Sequence, residues 1–134
     1  MSQKTLPNNP YGSKMNRFVT VEAPLKYEIY SFIGIVSSYF SLQPILTERI
    51  EYIFIEIWHR HTTFFNRIRY ENAVLGIMIF ALEEFHTEMG IDNIPVDITE
   101  YAEFLYGKKD SERNLVQIYS VYQNIVEIFE KPLN

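Results

Sequence analysis

From Lys26 to Phe129 the apolar residues recur at intervals of three and four, the spacing of a helix face, and nothing reads as a strand. Ile29, Phe32, Ile33, Val36, Tyr39 and Phe40 define an inward face for a first helix at about 25–41. Ser41-Leu42-Gln43-Pro44 breaks it, and Pro44 suits the first turn of a second helix at about 44–65. That helix turns Leu46, Ile50, Ile53, Phe54, Ile57 and Trp58 inward, with Glu48, Arg49, Glu51 and Arg60 mainly opposite. A third helix is predicted at about 70–89, stopped by Gly90. After the loop IDNIPV, Asp97 caps a short fourth helix at about 97–106 whose inner face is Ile98, Tyr101, Ala102 and Leu105. Gly107 ends it and Lys108-Lys109-Asp110 turn the chain. Ser111 then caps a fifth helix at about 112–130, burying Leu115, Ile118, Tyr119, Tyr122, Ile125, Val126 and Phe129.

The third helix is unlike the others. Ala73 to Leu82 reads AVLGIMIFAL, with no charge, between Glu71 and the pair Glu83-Glu84. A surface helix shows one apolar stripe; a helix apolar all round must be wrapped in protein. This run is far short of the roughly 20 residues that cross a bilayer. The expected fold class is therefore all-α, a five-helix bundle around a buried central third helix. Residues 1–24, with Pro7, Pro10, Pro24 and Gly12, have no periodicity and read as a flexible basic N-terminal arm. Residues 25–131 read as a single helical domain.

Composition changes this picture in three ways. The absence of cysteine excludes disulfides, thiolate zinc sites and cysteine nucleophiles. Ten Phe, ten Tyr and one Trp make a heavy aromatic load, and aromatics dominate core and interface energetics alike. The net charge of −5 is unevenly spread. Residues 1–26 carry Lys4, Lys14, Arg17 and Lys26 against Glu22, a net +3, while residues 27–134 carry 8 basic and 16 acidic groups, a net −8. So acidic a body does not coat itself in nucleic acid unaided. With no apolar run at the N-terminus, the expectation is an intracellular protein, cytoplasmic or nuclear, with no membrane contact.

The helix order, with its buried third helix, short fourth and long fifth, resembles the cyclin box, the repeat shared by cyclins and the core of transcription factor IIB. Leu42-Gln43-Pro44 followed by Glu48 is similar to the first junction of factor IIB repeats. Ala81-Leu82-Glu83-Glu84 resembles the end of the third helix in cyclins, Pro95 with Asp97-Ile98 to Ala102 the entry to the fourth, and Ser111 to Phe129 the fifth. The resemblance covers one repeat, about 27–130, and implies an adaptor that binds protein, or protein on DNA. Departures limit it. The family's kinase-contacting Lys falls on Ala81, and no acidic residue lies between Arg113 and Val126, which speaks against kinase activation. Factor IIB proteins carry two repeats and a cysteine zinc ribbon, whereas this sequence reads as one repeat with no Cys.

Three constellations carry possible chemistry. Glu56 with His59 and Glu83 with His86 have the E-x-x-H spacing of di-iron bundles. They fall near the C-terminal ends of consecutive helices, at opposite poles if those are antiparallel, and only Glu28 and Glu127 offer further carboxylates. Histidines and glutamates at solvated helix ends are the preferred explanation, and no metal or cofactor is expected. Arg60, Arg67 and Arg69 beside His59 and His61 form one basic patch, and Lys108, Lys109 and Arg113 a second. The second has the outline of a helix-turn-helix, in which Ser111, Arg113, Asn114 and Gln117 would face DNA bases. Asp110 and Glu112 would repel phosphate there, and a plain solvated helix start is the alternative. Finally, Phe64-Phe65 reads as an exposed pair at the end of the second helix. Tyr, Phe and Arg are interface types. The residues expected to bind a protein partner are Phe64, Phe65, Arg67, Arg69 and Tyr70, with Lys108, Lys109, Arg113, Asn114 and Gln117 as the DNA option. No catalytic signature is present, so the expectation is a non-enzymatic regulatory or transcription-associated adaptor. A homo-oligomer built through aromatic faces and a di-iron-type bundle are the alternatives.

Overall fold

Among the described residues four helical elements form, where five helices were expected: α1 (Arg17–Tyr39), α2 (Pro44–Arg60), α3 (Tyr70–Met89) and α4 (Ile98–Glu130), the last joining the expected fourth and fifth across Gly107. The structure, a computed structural model, describes residues 17–91 and 97–130, with side chains for 25–91 and 97–129. Among these residues there is no strand, and the class is all-α. The first part of the expected arm lies outside the described residues. Its end, expected to be irregular, is already helical from Arg17, because a proline such as Pro24 removes one donor and bends a helix without having to end it. The chain divides into two compact units inside α1, Met1–Ser31 and Phe32–Asn134, and the residues of interest lie in the second.

Local chemistry sets the helix ends. After α1, Leu42 donates its amide to the Ser37 carbonyl at 2.9 Å and Ser41 to Ser38 at 3.2 Å, with Ser41 at φ 53°. After α3, Ile91 donates to His86 at 3.0 Å and Gly90 to Thr87 at 3.2 Å, with Gly90 at φ 67°. Both are Schellman closures, which satisfy carbonyls the helix leaves open. Pro44 starts α2 as expected, after an extended Gln43. Asp97 caps α4 through its carboxylate, which accepts the Glu100 amide at 2.8 Å.

α2 stops at Arg60, short of the expected position 65. His61 leaves the helical region, and Phe64, Asn66 and Ile68 close successive turns onto His61, Thr63 and Phe65. The paired threonines 62 and 63 are weak helix formers. Phe64 and Phe65 therefore do not extend the helix, and both are half-buried where exposure was expected. Phe65 turns back against Phe54 and Trp58, with ring centroids at 5.5 and 5.6 Å, and Phe64 lies against Phe65 at 5.2 Å.

α3 is enclosed on every side along its apolar stretch: every residue from Asn72 to Leu82 is buried except the half-buried Ile79. It packs against α2 and α4. At the far end of α3, Arg49 of α2 binds Glu84 at 3.2 Å and Glu88 at 2.9 Å. This pairing holds the Glu88 carboxyl below the usual carboxylate range, chiefly through the hydrogen bond from Arg49.

α4 is interrupted once. Gly107 has φ 80° and ψ 157°, a conformation only glycine adopts without strain, and helix resumes directly after it. Ser111 consequently caps nothing; its hydroxyl donates back to the Lys108 carbonyl at 3.2 Å. Beyond the break the buried positions are Ser111, Asn114, Ile118, Val121 and Ile125. The expected inner residues Tyr119 and Phe129 are exposed instead, so the inward stripe is rotated toward Asn114 and Val121. The cause lies across the interface at Gly76. A Cβ there would sit 2.5 Å from Val121 Cγ1, closer than such atoms pack, and a tight 3.1 Å from the Ile118 carbonyl oxygen.

Gly76→Ala is expected to destabilise the protein by about 1–3 kcal/mol in urea unfolding, the cost of overpacking. Gly34→Ala, where nothing lies within 4 Å of the added Cβ, should instead gain up to about 1 kcal/mol.

Candidate functional site

Asn72 sits in the first turn of α3, fully buried, on the face that meets α4. Its amide nitrogen donates to Asn114 Oδ1 and to Gln117 Oε1, both at 2.9 Å, and its Oδ1 accepts the Tyr106 hydroxyl at 2.8 Å. Both amide hydrogens and one carbonyl lone pair are thus used. The network continues outward. Gln117 Oε1 also accepts the Arg69 amide at 3.2 Å, Gln117 Nε2 donates to the Arg67 carbonyl at 3.5 Å, and Asn114 Nδ2 donates to the Asp110 carbonyl at 2.8 Å. The Arg69 guanidinium lies over the Tyr106 ring, 5.2 Å from its centroid.

This hub brings together residues that the sequence separates into two patches. The segment 67–69 is fixed against α4 on both sides of Gly107, so Arg67, Arg69, Lys108, Lys109 and Arg113 share one pole of the protein, and all five are exposed. Arg113 is paired with Asp110 at 2.5 Å. Asn114 and Gln117, expected as base-reading residues, spend their amides inside the protein, and Asn114 is only 6% exposed. Tyr70 is half-buried beside Phe32, ring centroids 5.9 Å apart and edge to face. Arg67 holds φ 63°, a left-handed conformation that glycine occupies far more easily. Sequence reasoning did not find Asn72 or Tyr106; an asparagine at the head of an otherwise apolar helix was the available signal.

A second feature is aromatic. Tyr101, buried, contacts Tyr39, Phe40 and Phe104 with centroids at 4.5, 5.3 and 5.8 Å. Burial first, then Tyr39 and Glu71, push its hydroxyl pKa up. Phe104 is 70% exposed and stacks on Tyr39, itself exposed, with Ile35 one turn away on α1.

The two E-x-x-H pairs are engaged elsewhere. Glu56 binds Arg60 at 3.1 Å, and Glu83 accepts the Tyr122 hydroxyl. Among the described residues no group of three or more His, Asp or Glu side chains is placed to hold a metal ion. No described helix is long and apolar enough to cross a membrane. No family model, curated protein or solved structure matches the chain.

Asn72→Leu keeps the branched shape but strands several hydrogen-bonding groups, and should cost about 2–4 kcal/mol by urea unfolding. Tyr106→Phe removes one bond and should cost less. Burial raises the Tyr106 pKa from 10.0 to about 12. Because the folded state favours the neutral phenol, this contribution is complete below pH 10 and is lost as pH rises from 10 to about 12. Stability should fall over that window, and less steeply in Tyr106→Phe.

Proposed function

We propose that this chain is a non-enzymatic helical interaction module that captures a protein partner at the pole around Asn72, in a regulatory or transcription-associated setting. The observation that carries the reading is the gathering of Arg67, Arg69, Lys108, Lys109 and Arg113 by a buried amide hub, with Arg67 kept in a conformation unfavourable for any residue with a side chain. Strained backbone at an exposed position, secured by hydrogen bonds from behind, is the arrangement expected of a preorganised contact. Arginine and tyrosine side by side are also the residue types that dominate binding energy at protein interfaces. The architecture is read as one cyclin-box-like repeat. The break at Gly107 supports it, because it divides α4 into a short segment and a long one, as the fourth and fifth helices of that repeat are divided.

Homo-oligomerisation through aromatic faces is the second reading, favoured by Ile35, Tyr39 and Phe104, which expose a connected apolar area. Light scattering separates the two, since an assembling protein is never a monomer and an adaptor is free to be one.

Arg67→Glu with Arg69→Glu should abolish capture of the native partner in a pull-down from the host, while the thermal midpoint stays nearly unchanged. Arg67→Gly sharpens the test. It should raise stability by about 1 kcal/mol, through relief of the left-handed strain, and still weaken capture. Loss of fold in either variant, or undiminished capture in both, refutes the reading.

A further inference from the structure

The chemistry of the pole narrows the class of partner, on the reading that it is a protein-binding site. Among the described residues Arg67, Arg69, Lys108 and Lys109 are exposed and form no ion pair, whereas Arg49, Arg60 and Arg113 are all paired with carboxylates. Among the described residues the exposed and unpaired cations are therefore concentrated at one end, in a chain of net charge −5. The uncharged hub holds the backbone of Arg67 and Arg69 in place without neutralising the cations, since Asn72, Asn114 and Gln117 bring no charge. Guanidinium groups offer two parallel donors that match a carboxylate, and the nearby ammonium groups add charge without directional demand.

A nucleic-acid backbone fits the same surface poorly. Glu71, two positions after Arg69, and Glu112, beside Arg113, interrupt along the chain what a continuous phosphate backbone would require to be a stripe. The amides that could read base edges are turned inward. An acidic protein segment is not so constrained, because its carboxylates are discrete and can be placed over Arg67-Arg69 and Lys108-Lys109 while avoiding Glu71 and Glu112. Tyr106, half-buried beneath Arg69, adds an amphipathic surface beside the charges. We infer that the pole is a docking surface for an acidic segment of a protein partner, one rich in aspartate or glutamate.

The full chain is titrated into a fluorescein-labelled, end-capped glutamate peptide of about ten residues, followed by anisotropy at about 50 mM and about 300 mM salt, where screening differs strongly. Saturable binding at low salt is expected, weakened at least tenfold by the higher salt and at least tenfold by Arg67→Ala with Arg69→Ala. Gln123→Glu with Asn124→Glu lowers the net charge equally on an exposed part of α4 away from the pole, and should weaken binding less than twofold. Equal losses in the two double variants would assign the effect to net charge and overturn the inference. Tighter binding of a duplex DNA of about 20 base pairs, lost in the Arg67-Arg69 variant, would assign the pole to nucleic acid and overturn it as well. Concentration-dependent sedimentation that disappears in the same variant would assign it to a second copy of the chain. If the peptide fails to bind at about 1 mM while capture of the host partner still depends on Arg67 and Arg69, the acidic-segment inference falls and the partner-binding reading stands.

Discussion

The missing side chain at position 76 lets α4 approach the backbone of α3 more closely than any other residue would allow. Val121 and the Ile118 carbonyl occupy the space that a β-carbon needs. That contact settles how far α4 is turned about its own axis. With Val121 and Ile118 directed at α3, the helical period carries Asn114 inward one turn earlier, where Asn72 waits. Two buried amides facing each other are a liability unless every group is bonded, since an unpaired polar group in a low-dielectric interior is costly. Here Tyr106 and Gln117 complete the set, and through Gln117 the constraint reaches Arg67 and Arg69. The exposed pole is thus built from the core outward.

The two ends of α3 are held by different means. Toward its C-terminal end Glu83, Glu84 and Glu88 gather negative charge, and Glu88, in the last turn, stands where the helix dipole disfavours it. Arg49 offsets two of these carboxylates, and the Tyr122 hydroxyl donates to the third. At the N-terminal end neutral amides provide the attachment, and the charges are left pointing to water. One end of the helix consumes its charge internally and the other presents it.

Much of the architecture was legible in the apolar spacing. The limits of α3, the proline that begins α2, the Asp97 cap and the glycine after Met89 each follow from local rules that need no tertiary information. What escaped was the rotation of the second part of α4. Leu115, Tyr119 and Phe129 are more apolar than Ser111 and Asn114, so hydrophobicity alone turns the wrong side inward; only a glycine on the facing helix and an asparagine one turn before it reverse that choice. Phe64 and Phe65 were misplaced for a related reason, because two adjacent phenylalanines continue a helical pattern on paper while the threonines before them do not continue a helix. The cations of the candidate site were visible one by one. Their meeting was not, since it depends on hydrogen bonds between residues more than forty positions apart.

The two parts of α4 are joined by a single residue, and this restricts how the chain can vary in length. A loop can absorb an extra residue as slack, but Gly107 has helix directly on both sides. One residue inserted there would roll everything downstream through about 100°, the angular step of a helix. Asn114 would swing out of reach of its partner and Val121 off the bare backbone it covers. Insertions and deletions should therefore be far better accommodated between α2 and α3, around Thr62 and Thr63, than at this joint, which behaves as a fixed coupling between the two segments.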